Sequence, residues 1–144
     1  MIDEPKKHEL RSAIIIAASK LIGIPYEFGA EWTDYLKPPA TLDCSEMAEG
    51  IFHLVGLKLP DGSQNQYNFT IKAEKPEPGD LAFFGKGGDP GKIYHVGILY
   101  DEKNIIEARA FDGREWTGKV CLREKQNWEN YKNFCGYRCH PKLI

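Results

Sequence analysis

The 144-residue chain has no excess of charge of either sign: 19 lysines and arginines stand against 21 aspartates and glutamates, a net charge of −2. That leaves no broad basic face for gripping nucleic acid. No apolar run is long enough to span a membrane, and the longest, near residues 13–18, falls inside a helical pattern. Residues 1–9 lack the basic-then-apolar pattern of a signal peptide. The expectation is therefore synthesis and folding in a cytoplasm, with any action outside following lysis, a holin-like route or assembly into a particle. There is no internal repeat, low-complexity segment or linker. Cysteines number only four, Cys44, Cys121, Cys135 and Cys139. Without a secretion signal they are not expected to pair as two disulfides. Cys135-Gly-Tyr-Arg-Cys139-His140 lacks zinc-finger spacing, and apart from Cys121 no second ligand pair exists. The glycine-rich residues 85–92 lack the lysine–serine/threonine pair and following helix of a phosphate-binding loop.

What is present suffices for one domain with a real core: 42% of residues are hydrophobic and 28% charged. The most informative stretch is residues 41–56. Asp43 is a good helix N-cap and Gly56 a good stop. Between them Cys44, Met47, Ala48, Ile51, Leu54 and Val55 fall at helical spacing and form one apolar stripe. A cysteine thus heads the core-facing stripe in a helix's first turn. A free thiol is only about 3% ionised at pH 7, and the positive end of a helix favours the anion. Two readings stand: an activated nucleophile, if the chain supplies a histidine, or a buried structural thiol.

Residues 5–22 read as a first helix, with Pro5 at a first helical position and Leu10, Ala13, Ile14, Ala17 and Leu21 as its stripe. Residues 31–42 form an irregular aromatic loop in which Pro38-Pro39 exclude helix. A short helix capped by Ser63 runs through Asn68. Leu81-Ala-Phe-Phe84 reads as a buried strand, and residues 93–100 and 105–110 as a hairpin. Residues 117–123 and 133–140 give two more strands, the last placing Cys135, Tyr137 and Cys139 on one face. Helices first and strands second predict an α+β fold. N-terminal helices pack on a C-terminal antiparallel sheet of about five to six strands.

His95, at the start of a strand in that sheet, is the candidate base for Cys44. His53 lies too far along the cysteine helix, and His8 and His140 lie near the termini. A histidine base needs an orienting partner on its other nitrogen, and Glu107 is the candidate. The hairpin decides: an odd loop such as residues 100–102 puts Glu107 on the face of His95, and a two-residue loop at Glu102-Lys103 puts it on the other. Arg109 shares the face of Glu107, to pair with it or to bind a substrate carboxylate. Tyr26, held by Pro25, is either an ordinary packed tyrosine or part of a site.

Gly-Ile-Pro-Tyr-Glu-Phe-Gly-Ala (residues 23–30), Leu-Asp-Cys-Ser (42–45), Leu-Pro (59–60), Pro-Gly-Asp-Leu-Ala-Phe-Phe (78–84) and His-Val-Gly-Ile (95–98) follow one another in the order seen in NlpC-type cell-wall peptidases. The chain resembles that family from about residue 10 to residue 138. The resemblance implies a reduced papain-like fold over a single domain, residues 1–144. It implies a cysteine endopeptidase that cuts peptidoglycan stem peptides after γ-D-glutamate and before a diamino acid, with no metal or organic cofactor. It makes Cys44 the nucleophile and His95 the base, and puts Glu107 where the family has a polar residue, commonly histidine, asparagine or glutamine. Tyr26 matches a tyrosine whose hydroxyl lies near the thiol. Asp43 and Ser45 match positions that help bind the L-alanine amine in members cutting near a free stem-peptide N-terminus.

The departures bear on substrate choice. Glu46 stands where the family has glycine, with the expectation that its carboxylate narrows the cleft or repels an acidic peptide. Ala30 replaces a second glycine, and the following loop is long. The short form without a signal resembles a phage lysin or a tail-associated peptidase, with tail proteins as partners. Two rival readings remain: an N-acetylmuramoyl-L-alanine amidase or acyl transferase using the same machinery, and a non-catalytic module that binds wall or plugs a particle.

Overall fold

The structure, a computed structural model, describes residues 2–110 and 118–144. Helix α1 (Glu4–Ser19) starts on Asp3, whose carboxylate accepts from the Lys6 N–H, with proline in its first turn. It ends three residues before the expected limit, the chain leaving through a turn to Gly23 at φ +94°. Helix α2 (Cys44–Leu54) starts on Asp43, whose Oδ1 accepts from the Glu46 N–H at 2.8 Å, and the chain turns out at Gly56, φ +81°. Helix α3 (Ser63–Phe69) corrects one expectation: Ser63 is its first residue, Gly62 occupies the cap, and no side chain closes it.

The strands follow as β1 (Ile71–Lys72), β2 (Leu81–Gly85), β3 (Ile93–Leu99), β4 (Asn104–Ala108) and β5 (Val120–Glu124), then helix α4 (Lys125–Glu129) and β6 (Phe134–Cys139). They form one antiparallel sheet in the order β1-β6-β2-β3-β4-β5. Thr117, which the sequence puts in the strand over 117–123, lies outside the described residues, and β5 begins at Val120. The strand over 105–110 stops at Ala108. Among the described residues no helix is long and apolar enough to cross a membrane.

Alternation along β3 divides the core. Val96 and Ile98 point to the side of α2, into a cluster with Ile14, Met47, Ile51, Phe52 and Phe83. Leu99 points to the other face, where it meets Ile105, Phe84, Trp128 and Tyr137. Strand β6 departs from the expected alternation. Its register with β2 slips between Ala82 and Phe84, and Gly136 takes φ +91°. Tyr137 therefore joins the Trp128 side while Cys135 and Cys139 pack toward the α2 side. Cys44, Cys135 and Cys139 are free thiols.

Two contacts hold the helices in place. Arg11 of α1 reaches the Pro-Gly-Asp turn, with Nη1 2.8 Å from Asp80 Oδ1 and 3.1 Å from Pro78 O. Asp80 also accepts from the Glu77 N–H, so this buried carboxylate is fully partnered. On α2, Gly50 lets the indole of Trp32 lie against the helix: a Cβ there would stand 2.1 Å from Trp32 Cε3. Gly50→Ala is expected to cost about 1–3 kcal/mol through overpacking, read as a lower urea midpoint at unchanged slope.

Candidate active site

Cys44 is the first residue of α2 and 9% exposed. Helix α2 packs on β3 and β4, which brings its N-terminus to the start of β3, where His95 stands. The segment before it is laid down by three backbone contacts. Pro25 bridges Lys119 beside β5, the Tyr26 N–H donates to Gly118 O at 2.8 Å, and the Glu27 N–H donates to Leu42 O. Tyr26 is thereby carried to the thiol. Burial, then the neighbouring Cys44 and Asp43, push its phenol up to about 12, so the hydroxyl keeps its proton.

The hairpin settles the placement of Glu107. Ile98 pairs with Ile106 and Leu99 with Ile105, and the Tyr100 N–H closes on Asn104 O. Three residues, 101–103, make the tip, with Asp101 Oδ1 accepting from the Lys103 and Asn104 N–H groups. The tip is odd, so positions 95 and 107 share a face. The register is offset by two from a loop at 100–102, and continued along the strands it sets Arg109 opposite His95. Glu107 meets the ring diagonally.

His95 Nε2 lies 2.9 Å from Glu107 Oε1, which leaves Nδ1 for the sulfur. Burial works against the imidazolium, but the charge and hydrogen bond of Cys44, then those of Glu107, outweigh it and push the ring up to about 10. Glu107 is fully buried. Burial would raise its carboxyl, but the hydrogen bond and charge of His95, then Arg123 and the Trp128 N–H, hold it below the usual carboxylate range. The arrangement can store a proton on His95 beside a sulfur and keep the ring pointed at it.

The remaining candidates divide. Asp43 holds the helix start: besides the Glu46 N–H it accepts from Ser45 Oγ at 3.3 Å and, through Oδ2, from the Gly29 N–H at 3.3 Å. Ser45 thus sits beside the thiol with its hydroxyl on Asp43. Arg109 follows β4, its backbone N–H donating to Lys119 O. Glu46 is not brought to the thiol. Two residues along a helix is about 200° around it, so its side chain leaves from the opposite side. There it is 8% exposed and accepts from the Trp32 N–H at 2.9 Å. In place of the expected narrowing of the cleft, Glu46 anchors the loop of residues 31–42.

Glu46, Glu49 and Asp61 bring carboxylate oxygens within 4.8 Å of one another. Burial, then Glu46 and Asp61, push Glu49 up to about 7. An acid raised on folding stabilises most below its ordinary value of 4.5, and that contribution is lost as pH rises through about 7. Glu49→Gln is expected to raise the thermal midpoint at pH 8 and leave it unchanged at pH 4.

Nothing local in the sequence marks Trp128 or Arg123 for this site, and Phe84 reads there only as a buried strand residue. Arg123 pairs with Ile105 across β4–β5, which places it on the face of Glu107 with Nη1 3.6 Å from Oε2. Trp128 comes from a five-residue helix that no spacing rule connects to His95.

A cysteine opening a helix laid against an antiparallel sheet that carries its histidine is the papain-like layout. The chain belongs to the NlpC/P60 family, whose model matches residues 23–130. It is 39% identical over 100 residues to the probable endopeptidase p60 of Listeria grayi, covering 68% of this chain and 18% of p60. It is 36% identical over 83 residues to the bifunctional muramidase/DL-endopeptidase CwlT of Bacillus subtilis, covering 56% of this chain and 24% of CwlT. The peptidoglycan endopeptidase RipA of Mycobacterium tuberculosis is 31% identical over 96 residues, 60% of this chain and 20% of RipA. A solved structure of RipA altered at a glutamate superposes with a TM-score of 0.74 at 23% identity, covering 97% of this chain and 65% of that one. Further RipA structures are altered at a cysteine and at a histidine. The chain spans about a fifth to a quarter of the length of these curated relatives.

Proposed function

We propose that this chain is the catalytic domain, residues 1–144, of a cysteine endopeptidase of peptidoglycan that cuts stem peptides at the γ-D-glutamyl–diamino acid bond. The observation that carries the reading is the line Cys44–His95–Glu107, closed at its far end by a fully buried carboxylate, with 2.9 Å between ring and carboxylate. The names of p60, CwlT and RipA support the class of reaction, and the DL-endopeptidase in the name of CwlT supports the bond. In RipA the altered glutamate follows the altered histidine by 12 residues, as Glu107 follows His95.

In the mechanism, the Cys44 thiolate attacks the scissile carbonyl while His95 holds the proton. The oxyanion accepts from the Cys44 N–H at the positive end of α2. His95 gives its proton to the departing amine, leaving an acyl-enzyme. The neutral ring then takes a proton from water, hydroxide attacks the thioester, and the sulfur leaves as thiolate with His95 protonated again. Asp43 keeps α2 aimed by holding its first turn and the Gly29 N–H together.

The test is digestion of purified peptidoglycan with fragments read by mass spectrometry. New termini at the γ-D-glutamyl–diamino acid bond are expected. Cleavage between sugar and L-alanine would make the protein an amidase. Transfer of the acyl group to an added amine in place of water would make it a transferase.

A further inference from the structure

We propose that Trp128 is the positioning residue of this site: its indole fixes the His95–Glu107 pair from two directions and restricts position 107 to a carboxylate. The inference rests on the peptidase reading for its effect on rate.

The geometry is specific. Trp128 is fully buried, and its Nε1–H donates to Glu107 Oε2 at 2.8 Å. The other carboxylate oxygen, Oε1, is the one at the imidazole. The same indole stacks on the His95 ring, with centroids 5.4 Å apart and planes 28° apart. On its other contact Phe84 stacks at 4.0 Å, and Phe84 also stacks on His95 at 5.6 Å. Two rings, of Trp128 and Phe84, therefore set the plane of the imidazole while one of them also tethers its carboxylate.

The chain makes room for this at a glycine. A Cβ on Gly97 would stand 3.0 Å from Trp128 Cη2 and Cζ2 and 2.7 Å from Ile105 Cγ2, so the indole crosses the sheet where β3 has no side chain. Helix α4 is tied to the hairpin tip by the Lys125 N–H on Lys103 O at 2.7 Å. The tip that fixes the register of Glu107 thus also fixes the helix that carries Trp128.

The consequence follows from counting donors. Two N–H groups, from His95 and Trp128, converge on one side chain that is closed to solvent. A carboxylate offers two acceptor oxygens, and an amide offers one acceptor oxygen and one nitrogen that only donates. With Trp128 present, glutamine at position 107 sets an NH₂ against an N–H on one side or the other. Without the indole N–H, glutamine satisfies His95 with its oxygen and leaves its NH₂ facing only Arg123, whose Nη1 stands 3.6 Å from Oε2, beyond hydrogen-bond distance.

The experiment is a cycle of Trp128→Phe, Glu107→Gln and the double variant, measured by kcat and KM on a stem peptide. Trp128→Phe is expected to lower kcat roughly 10–100-fold with KM held within about twofold. Glu107→Gln is expected to cost at least tenfold less in the Trp128→Phe background than alone. Additive losses, or an unchanged kcat in Trp128→Phe, would overturn the inference. Should Trp128→Phe fail to fold, Trp128 alone is replaced by 3-benzothienylalanine, which keeps the ring shape and exchanges N–H for sulfur. In both variants the His95 ring N–H held on Glu107 is followed by NMR. It is expected downfield in wild type and lost to exchange when the indole N–H is removed. Its survival in the benzothienyl protein overturns the inference whatever the activity. A wild type that shows the resonance and loses it on substitution, yet cuts no wall, overturns the peptidase reading and leaves the positioning role in place.

Discussion

Cys44→Ala is expected to reduce stem-peptide hydrolysis by on the order of 10⁶-fold, the scale of loss when one member of a nucleophile–base unit is removed. The size follows from how little the other groups can do alone. His95 is held with its proton by Cys44 and Glu107 together, so without the sulfur it loses the group it serves and the larger of the two supports for its charge. Tyr26 keeps its hydroxyl proton and offers no nucleophile. Fragment yield by mass spectrometry measures the loss, and an unchanged thermal midpoint shows that the variant is folded. The rival reading gives a sharply different result. A structural thiol that is 9% exposed would lose some packing on truncation, and wall fragments would still appear at the wild-type rate. Cys44→Ser separates the two further: it nearly preserves volume and hydrogen bonding, and it replaces the thiol with a hydroxyl that a neutral or charged imidazole beside it ionises far less readily.

The parts of this site written in local sequence were readable, and the parts written in tertiary contact were not. Asp43 and Cys44 could be placed because a cap and an apolar stripe act within one helix. His95 and Glu107 reduced to a parity question, since a strand fixes which face a residue takes once the loop length is known. The loop itself was ambiguous: Asp101 closes its own turn, and nothing in the alternation of residues 93–110 counts the residues at the tip. A carboxylate beside Cys44 in sequence is not beside it in space: the helical angle of two residues turns Glu46 away from the thiol. Its true partner, the Trp32 N–H, lies in a loop with no periodicity. The alternation assumed through Cys135, Tyr137 and Cys139 failed at Gly136, where a glycine in a strand is itself the signal of a bulge. Trp128 had no local signal at all. Its partner is 21 residues away, and the gap that admits it is the glycine of His-Val-Gly-Ile.

Glu107→Gln is expected to lower kcat by about 10²–10⁴-fold, the range for losing the orientation of a general base. The family's tolerance of a neutral amide at this position does not protect this chain, because both oxygens of Glu107 are taken by donors. The pH dependence gives the sign. In wild type the imidazolium persists until about pH 10, so activity is expected to fall as pH rises through that value and the ring has no proton for the leaving amine. Glutamine removes the Glu107 charge that helps raise the ring, so the alkaline limb moves to lower pH. Stability follows the same pair. His95, raised on folding, contributes in full below its ordinary 6.5, and that contribution is lost as pH rises through about 10. Glu107, lowered on folding, contributes in full above its ordinary 4.5 and is lost as pH falls through its lower folded value. The stability difference between wild type and Glu107→Gln is therefore expected to peak between about pH 4.5 and 6.5 and to shrink on either side. Denaturant titrations across pH 3–10 measure it. A difference flat in pH would mean that the ring and the carboxylate are not linked in solution, and an unmoved alkaline limb would take Glu107 out of the mechanism.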